Sequence, residues 1–378
     1  MERKRIALAT PTMHGEEIGF VQEAFDKNWI APLGFNCDSF EEEVSAFLSQ
    51  GLQNQYHTLA LCSGSSALHL AYKLAGVKRG DVVLCSDMTF AATVNPVSYE
   101  GGVQVFVDSE RDTWNMSPEA LEKAFEKYPQ AKVVALAHLY GTPSKMDEIL
   151  EICARHNAVL VEDAAESLSA TYKGRQTGTF GKYNAISFNG NKIITTSGGG
   201  MLITEEKSAR DKAFFWATQA REKAAWYQHE EIGYNYRMSN VVAGIGRGQL
   251  LHLEQHRDAK EKIYRRYEQG LKGLPVSMNP YLPYTKPNFW LSCMLLDADV
   301  KITPMEILER LSGANIETRP IWKPMHMQPV FKGHDFISVE KKSVGEDVFT
   351  RGLCLPSDIK MTEEEQDFVI EEIKKCFK

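Results

Sequence analysis

TLALCSGSSALHLA (58–71) passes from a short apolar run straight into a stretch of helical periodicity, with Ser63, Gly64, Ser65 and Ser66 at the junction. The same alternation recurs as far as residue 204. The candidate strands are TLALCS (58–63), DVVLCS (81–86), VQVFVD (103–108), KVVALAH (132–138), AVLVED (158–163), NAISF (184–188) and GMLIT (200–204). Several are apolar at consecutive positions, the pattern of strands covered on both faces. The helices between them have readable starts. Ser117-Pro118-Glu119 sets a hydroxyl at the N-cap and a proline at the first helical position. Ser144 is expected to lead another helix through to Ala154. Strands alternating with helices imply an α/β domain built on a largely parallel sheet.

After Gly233 the character changes. Residues 239 to about 271 read as one long helix, rich in small residues first (VVAGIG, 241–246) and charged afterwards (HRDAKEKIYRRYEQ, 256–269). Beyond Pro275 come short strands around Phe289 to Leu296. A helix follows, opened by the capping box Thr303-Pro304-Met305-Glu306, and a last helix starts at Thr362 with Glu365 three residues on. The expected division is a large α/β domain over 1–248 and a smaller α+β domain over 249–378. A length of 378 residues agrees with two domains.

Composition excludes several classes. The apolar fraction is 43% and the charged fraction 25%, near globular averages. A net charge of −7 spread along the chain gives no basic footprint for nucleic acid. No uninterrupted apolar stretch approaches the ~18 residues that span a bilayer, and MERKRIALATPTMHGEE lacks the apolar centre of a secretory signal. The seven cysteines are scattered with no CxxC pair, as expected of small buried hydrophobes in a reducing, cytoplasmic compartment.

Two motifs have plain structural readings. GIGRGQ (244–249) sits inside a helical pattern, so its glycines are expected to pack one helix closely against another. His252 and His256 stand one turn apart, but HLEQH misplaces the glutamate of a zinc protease and offers no third ligand, so they read as a solvated helix face and no metal site is expected. A second constellation is more specific. Asp163 ends the apolar strand AVLVED, at the carboxyl edge where open α/β sheets bind ligands. Lys192 follows 29 residues later in SFNGNKIITTSGGG (187–200), an irregular segment after another strand. A lysine amine can form a Schiff base with a carbonyl, and a carboxylate can keep the ring nitrogen of pyridoxal phosphate protonated. The SGSSALHLA junction offers N–H groups and hydroxyls to an anion at a helix N-terminus. Ser187 adds a hydroxyl at the same edge, and Phe90, after a third strand, can stack on a flat ring.

These segments carry a resemblance. SGSSALHLA, SDMTFAAT, AHLYG, VEDAAES, GTFGKYNAISFNGNKIITTSGGGML, GYNYRMSN and RPIWKPMH occur in this order, between APLG (31–34) and RGLCLPS (351–357). Together they resemble the DegT/StrS-type sugar aminotransferases, which are fold-type-I pyridoxal phosphate enzymes. The stretch around Lys192, joined to WKPMH, is most similar to the branch that aminates C4 of UDP-4-keto-6-deoxy-N-acetylglucosamine. The resemblance implies Lys192 as the Schiff-base lysine and proton-transfer base, Asp163 as the ring-nitrogen partner and Phe90 as the stacking residue. It implies Gly64, Ser65, Ser66 and Ser187 as the phosphate site, and Asn235 as a residue reaching the phosphate of a neighbouring subunit in a homodimer. Glu166 departs from the histidine or glutamine frequent in relatives near the cofactor's phenolic oxygen, so it is either protonated or differently employed.

The resemblance further implies a sugar-nucleotide pocket lined by Asn28, Trp29, Ile30 and Ala31 and by Trp322, Lys323, Met325 and His326. Arg237 and Arg319 are candidates for a carboxylate or a phosphate, of the amino donor or of the nucleotide sugar. The expected substrates are a nucleotide sugar and glutamate, with neither nucleic acid nor membrane as partner. Two alternatives exist. A sugar 3-dehydratase of this fold has histidine where this chain keeps Lys192, and a non-catalytic sensor would have lost Lys192 or Asp163.

Overall fold

The structure is a computed structural model and describes residues 4–378. The large sheet comprises β1 (His57–Leu61), β2 (Val82–Ser86), β3 (Val103–Val107), β4 (Val133–Ala137), β5 (Val159–Asp163), β6 (Tyr183–Ser187), β7 (Gly200–Thr204) and β8 (Phe336–Ile337). Their spatial order is β1-β7-β6-β5-β4-β2-β3-β8. The pairs from β6 through β5, β4, β2 and β3 to β8 are parallel, whereas β7 runs antiparallel to both β1 and β6. The sheet is therefore mixed, with one reversed strand among the eight. The connection from Ser187 to Gly200 is the irregular Lys192 segment, with no helix to carry a parallel crossover, and β7 returns antiparallel.

The apolar runs serve two faces, as consecutive apolar residues require. Val83, Cys85, Ala135 and Val161 pack on one side with the helix Gly64–Leu74, and Leu84, Val134, Leu136 and Leu160 pack on the other with Pro118–Lys127 and Met146–Arg155. Ser117 caps its helix by accepting the Ala120 N–H. Ser144 does not lead the next one. That helix begins at Met146, and the Ser144 hydroxyl lies within hydrogen-bond distance of His138 Nδ1 and the Ala137 carbonyl.

The predicted long helix is two helices, Asn240–Leu250 and Leu253–Gly270, parted where His252 leaves helical geometry (φ −111°, ψ 5°). The first presses Gly244, Gly246 and Gly248 against Phe20, Phe40 and Glu17, so closely that a Cβ at Gly248 would stand 2.6 Å from the Glu17 backbone nitrogen. The second turns Ile263 and Tyr267 into a separate core with Met294, Leu353 and Val369. One straight helix cannot serve both. His256 is buried (2% exposed) rather than solvated, which corrects the expectation of an open helix face.

The C-terminal part holds a four-stranded antiparallel sheet of Val276–Met278, Ser292–Leu296, Gly352–Leu355 and Arg319–Pro320, backed by Pro304–Gly313 and Glu363–Lys374. Both helices carry their predicted capping boxes. The chain does not separate cleanly near residue 248. Ile6 bridges to Ile316 and packs in the C-terminal core, while β8 returns to edge the large sheet.

Gly200 packs directly against backbone at the sheet edge, where a Cβ would lie 2.4 Å from the Gly64 nitrogen and the Ser63 carbonyl carbon. Backbone cannot yield as a side chain can, so Gly200→Ala should lower stability by about 1–3 kcal/mol or more. Gly19, inside the helix Glu16–Asp26 with open space around it, is the contrasting case. Gly19→Ala should raise stability by up to ~1 kcal/mol through helix propensity, and thermal denaturation of the two variants checks both signs.

Candidate active site

The parallel strands end on one edge, and their successors supply a cleft of about 420 Å³, within the range of small-molecule sites. Strand β1 runs into Ser63, whose hydroxyl accepts the Ser66 N–H and caps the helix Gly64–Leu74. The β6–β7 register sets Ser187 opposite Gly200, and Gly200 backs onto Gly64. Asp163, at the end of β5, pairs in register with Ala185 of β6. Gly64, Ser65, Phe90, Asp163, Glu166, Ser187 and Lys192 therefore line one cleft, together with Trp322.

Asp163 is buried. Its Oδ2 accepts the Thr93 hydroxyl at 2.6 Å and its Oδ1 the Ala165 N–H at 2.9 Å. Burial nevertheless outweighs these bonds and raises the carboxyl above its ordinary range. A carboxylate in that condition is stabilised by a cation brought beside it. Glu166 is also buried. Its Oε2 accepts the Tyr140 N–H at 2.7 Å, and its Oε1 stands 3.7 Å from Lys192 Nζ. Desolvation pushes it up to about 7, with the Lys192 ammonium opposing. Tyr140 presents its N–H from a left-handed conformation (φ 52°), a strained geometry for a non-glycine residue.

The cleft fits pyridoxal phosphate on its own features. The Gly64–Ser65 turn opens a helix N-terminus toward an anion. Ser187 Oγ accepts the Asn189 N–H, which leaves its own hydrogen to donate. Phe90 lies 57% exposed although it lines the cleft, with its ring 5.3 Å from that of Trp322. An apolar ring left open beside a buried carboxyl and an amine suits a flat cationic heterocycle.

Other expected residues lie elsewhere. The Ser66 hydroxyl is turned back onto Ser63, accepting its N–H at 3.1 Å and donating to its carbonyl at 2.7 Å, so it closes the capping box of its own helix. Arg237 is buried against Glu41 at 2.6 Å and the Ala60 carbonyl at 2.8 Å, and Arg319 pairs with Glu317 on the surface. Met325 is in the core. His326 is gripped between Asp87 (2.7 Å) and Glu346 (2.9 Å), which raise its pKa against the burial that lowers it. Lys323 is half-buried and does not line the cleft, while Asn28, Trp29, Ile30 and Ala31 form an exposed turn held by Asn240. Asn235 is exposed, its amide oxygen 3.3 Å from Gln219 Nε2. Trp290, Asn189, Asn191 and Thr93 were not singled out in the sequence. Trp290 reads as one more apolar residue of FWLSC, and only the C-terminal fold brings it to the cleft.

The fold and this site define a pyridoxal phosphate-dependent sugar aminotransferase. Residues 11–374 match the DegT/DnrJ/EryC1/StrS aminotransferase family, and the chain belongs to it. It is 48% identical to EpsN of Bacillus subtilis (strain 168), covering 99% of this chain and 96% of that protein. It is 34% identical to the GDP-perosamine synthase of Caulobacter vibrioides, over 97% and 96%. The fold superposes on the aminotransferase TlmJ from Streptoalloteichus hindustanus with a TM-score of 0.89 at 25% identity, covering 98% of each chain. No helix among the described residues is long and apolar enough to cross a membrane.

Glu166 yields a test of the electrostatics. Its folded pKa is raised, so between about pH 5 and 7 the folded chain holds a proton that the unfolded chain has released. That contribution to stability is present at low pH and is lost as pH rises through 7. Cofactor-free Glu166→Gln should therefore gain in melting temperature relative to the parent as pH is raised from 5 to 8. A difference that stays flat across this range would contradict a raised Glu166.

Proposed function

We propose that this chain transfers an amino group from glutamate to the C4 keto carbon of a nucleotide-linked 4-keto-6-deoxy sugar, with UDP-4-keto-6-deoxy-N-acetylglucosamine as the favoured acceptor. The observation that carries the reading is the meeting of Lys192, Asp163 and Phe90 at one sheet edge beside the Gly64–Ser65 anion site. Bound pyridoxal phosphate supplies an aldehyde for amine capture and a ring that acts as an electron sink. Lys192 is the amine that would be linked to that aldehyde and would move the proton. Asp163, oriented by Thr93 and Ala165, would keep the ring nitrogen protonated. Ser65, Ser187 and the helix N-terminus would hold the phosphate, and Phe90 would stack on the ring. Glu166 in its protonated form presents an O–H to the cleft without repelling an anionic oxygen there.

The relative that makes GDP-perosamine supports a nucleotide-sugar acceptor but favours a different nucleotide, so a panel of UDP-, dTDP- and GDP-linked keto sugars with glutamate tests the choice. NMR of the products should show a new amine at C4. Lys192→Ala should abolish turnover and a visible absorption band sensitive to borohydride. Asp163→Asn should keep the cofactor yet lower kcat strongly, because an amide cannot balance a ring cation. Near-full activity in either variant would remove the role assigned to that residue.

Within this reading the working unit is a homodimer in which Asn235 reaches a neighbour's phosphate. What supports it is the exposed Asn235, on a segment next to the exposed aromatic side chains Trp226 and Tyr227. Mixing inactive Lys192→Ala with inactive Asn235→Asp should restore part of the activity after subunit exchange, since one site of each heterodimer carries neither lesion. Confirmed exchange without any recovery would dismiss a shared site.

A further inference from the structure

The carbonyls of the two residues that flank Lys192 are both held by aromatic rings from the second half of the chain. Trp290 Nε1 donates to the Asn191 carbonyl at 2.7 Å, and His256 Nδ1 lies 2.7 Å from the Ile193 carbonyl. We propose that Trp290 and His256 are positioning residues for Lys192, forming a clamp that aims its amine into the cleft. The proposal rests on Lys192 being the covalent lysine.

The geometry fixes the direction of each bond. A carbonyl only accepts, so His256 carries its proton on Nδ1 and, when neutral, presents a lone pair at Nε2. His14 Nε2 lies 2.7 Å from that atom and donates to it, which locks the tautomer. The His14 ring in turn stacks on His252, with centroids 3.7 Å apart. His256 is buried, and desolvation together with the nearby His14, Lys260 and His252 lowers its pKa, which keeps the ring neutral and the tautomer defined. Glu16 and Glu17 face this group from the helix Glu16–Asp26, with Glu16 3.2 Å from His252 and Glu17 bonded to Gln249.

Trp290 acts twice. Besides holding Asn191, its ring face lies 4.0 Å from Lys192 Nζ, so the same side chain fixes the base of the lysine and covers its tip. Its own carbonyl accepts the buried Lys260 amine at 3.0 Å, and Lys260 stands one helical turn after His256. One face of the helix Leu253–Gly270 thus underlies both arms of the clamp. The Lys192 segment has no ladder of its own between β6 and β7. The Lys192 N–H closes a turn onto the Asn189 carbonyl at 3.0 Å, and Ile193 and Ile194 pack in the core. The two clamp bonds add the constraint on the carbonyls to either side of Lys192, and a displacement of about 1 Å at a reacting atom can cost up to ~100-fold in rate.

The test separates aim from binding. Apoprotein is mixed with pyridoxal phosphate and the visible band is followed by stopped flow, while the affinity for pyridoxine phosphate, which has no aldehyde, is measured in parallel. His256→Leu and Trp290→Phe should slow covalent capture about tenfold or more, with pyridoxine phosphate affinity within about twofold of the parent in His256→Leu, which lies outside the cleft, and falling by clearly less than the capture rate in Trp290→Phe, whose ring lines it. His256→Asn, whose amide nitrogen can replace Nδ1, should recover most of the capture rate. Capture at the parent rate in folded His256→Leu and Trp290→Phe would overturn the clamp. So would equal losses in capture and pyridoxine phosphate binding, or His256→Asn as slow as His256→Leu. If His256→Leu does not fold, Trp290→Phe alone decides, since it keeps a ring and loses only the donor and part of the face. A parent protein that forms no borohydride-sensitive band would instead refute the covalent role of Lys192, a distinct result.

Discussion

Gly200 lies so close to the peptide joining Ser63 to Gly64 that no side chain fits between them. That approach draws together the end of β1, the start of the helix Gly64–Leu74 and the reversed strand β7, which carries Ser187 of β6 opposite Gly200. The anion-binding turn, the Ser187 hydroxyl and the segment bearing Lys192 all take their positions from it. The return from Ser187 to Gly200 holds no helix, so β7 runs antiparallel and the irregular segment bearing Lys192 passes over the sheet edge.

Three buried carboxyls on one short segment show how partner count sets charge. Glu162 faces His138 and accepts the backbone N–H groups of Gly178, Phe180 and Gly181, and these donors hold its pKa below the ordinary value despite burial. Asp163 has two donors and is raised. Glu166 has one backbone donor and an amine at 3.7 Å, and rises to about 7. A typical hydrogen bond to a charged group contributes about 1.5–3 kcal/mol, comparable to the desolvation each must offset. Glu162 is thereby a structural anion that fixes the loop before β6, whereas Asp163 and Glu166 remain responsive to whatever enters the cleft.

The cleft also belongs to both halves of the chain. Asn288 donates to the carbonyls of Glu166 and Leu168, and its own side-chain oxygen accepts the Trp290 N–H. Trp322 donates its N–H to the Tyr140 hydroxyl. The walls supplied by Trp290 and Trp322 are therefore tied to the same loops that present Glu166 and Tyr140, so packing between the halves and the shape of the site are one problem.

The sequence by itself determined the strand and helix succession over 57–204, the caps at Ser117, Thr303 and Thr362, and the placing of Asp163 and Lys192 at one sheet edge, because these depend on periodicity, local hydrogen bonds and residue chemistry at strand ends. It did not determine that Ser66 caps its own helix, that Arg237 answers Glu41, or that Met325 and His326 pack inward. A serine, an arginine or a methionine carries the same local signal whether it faces a ligand or a neighbour. Nor did it separate Asn240–Leu250 from Leu253–Gly270, since helical periodicity continues across a kink that exists only to serve two cores. The burial of His256, and the arrival of Trp290 over Lys192 across ninety-eight residues of chain, were decided by tertiary packing alone. Contacts of that range leave no mark on local sequence because their partners are chosen by the fold.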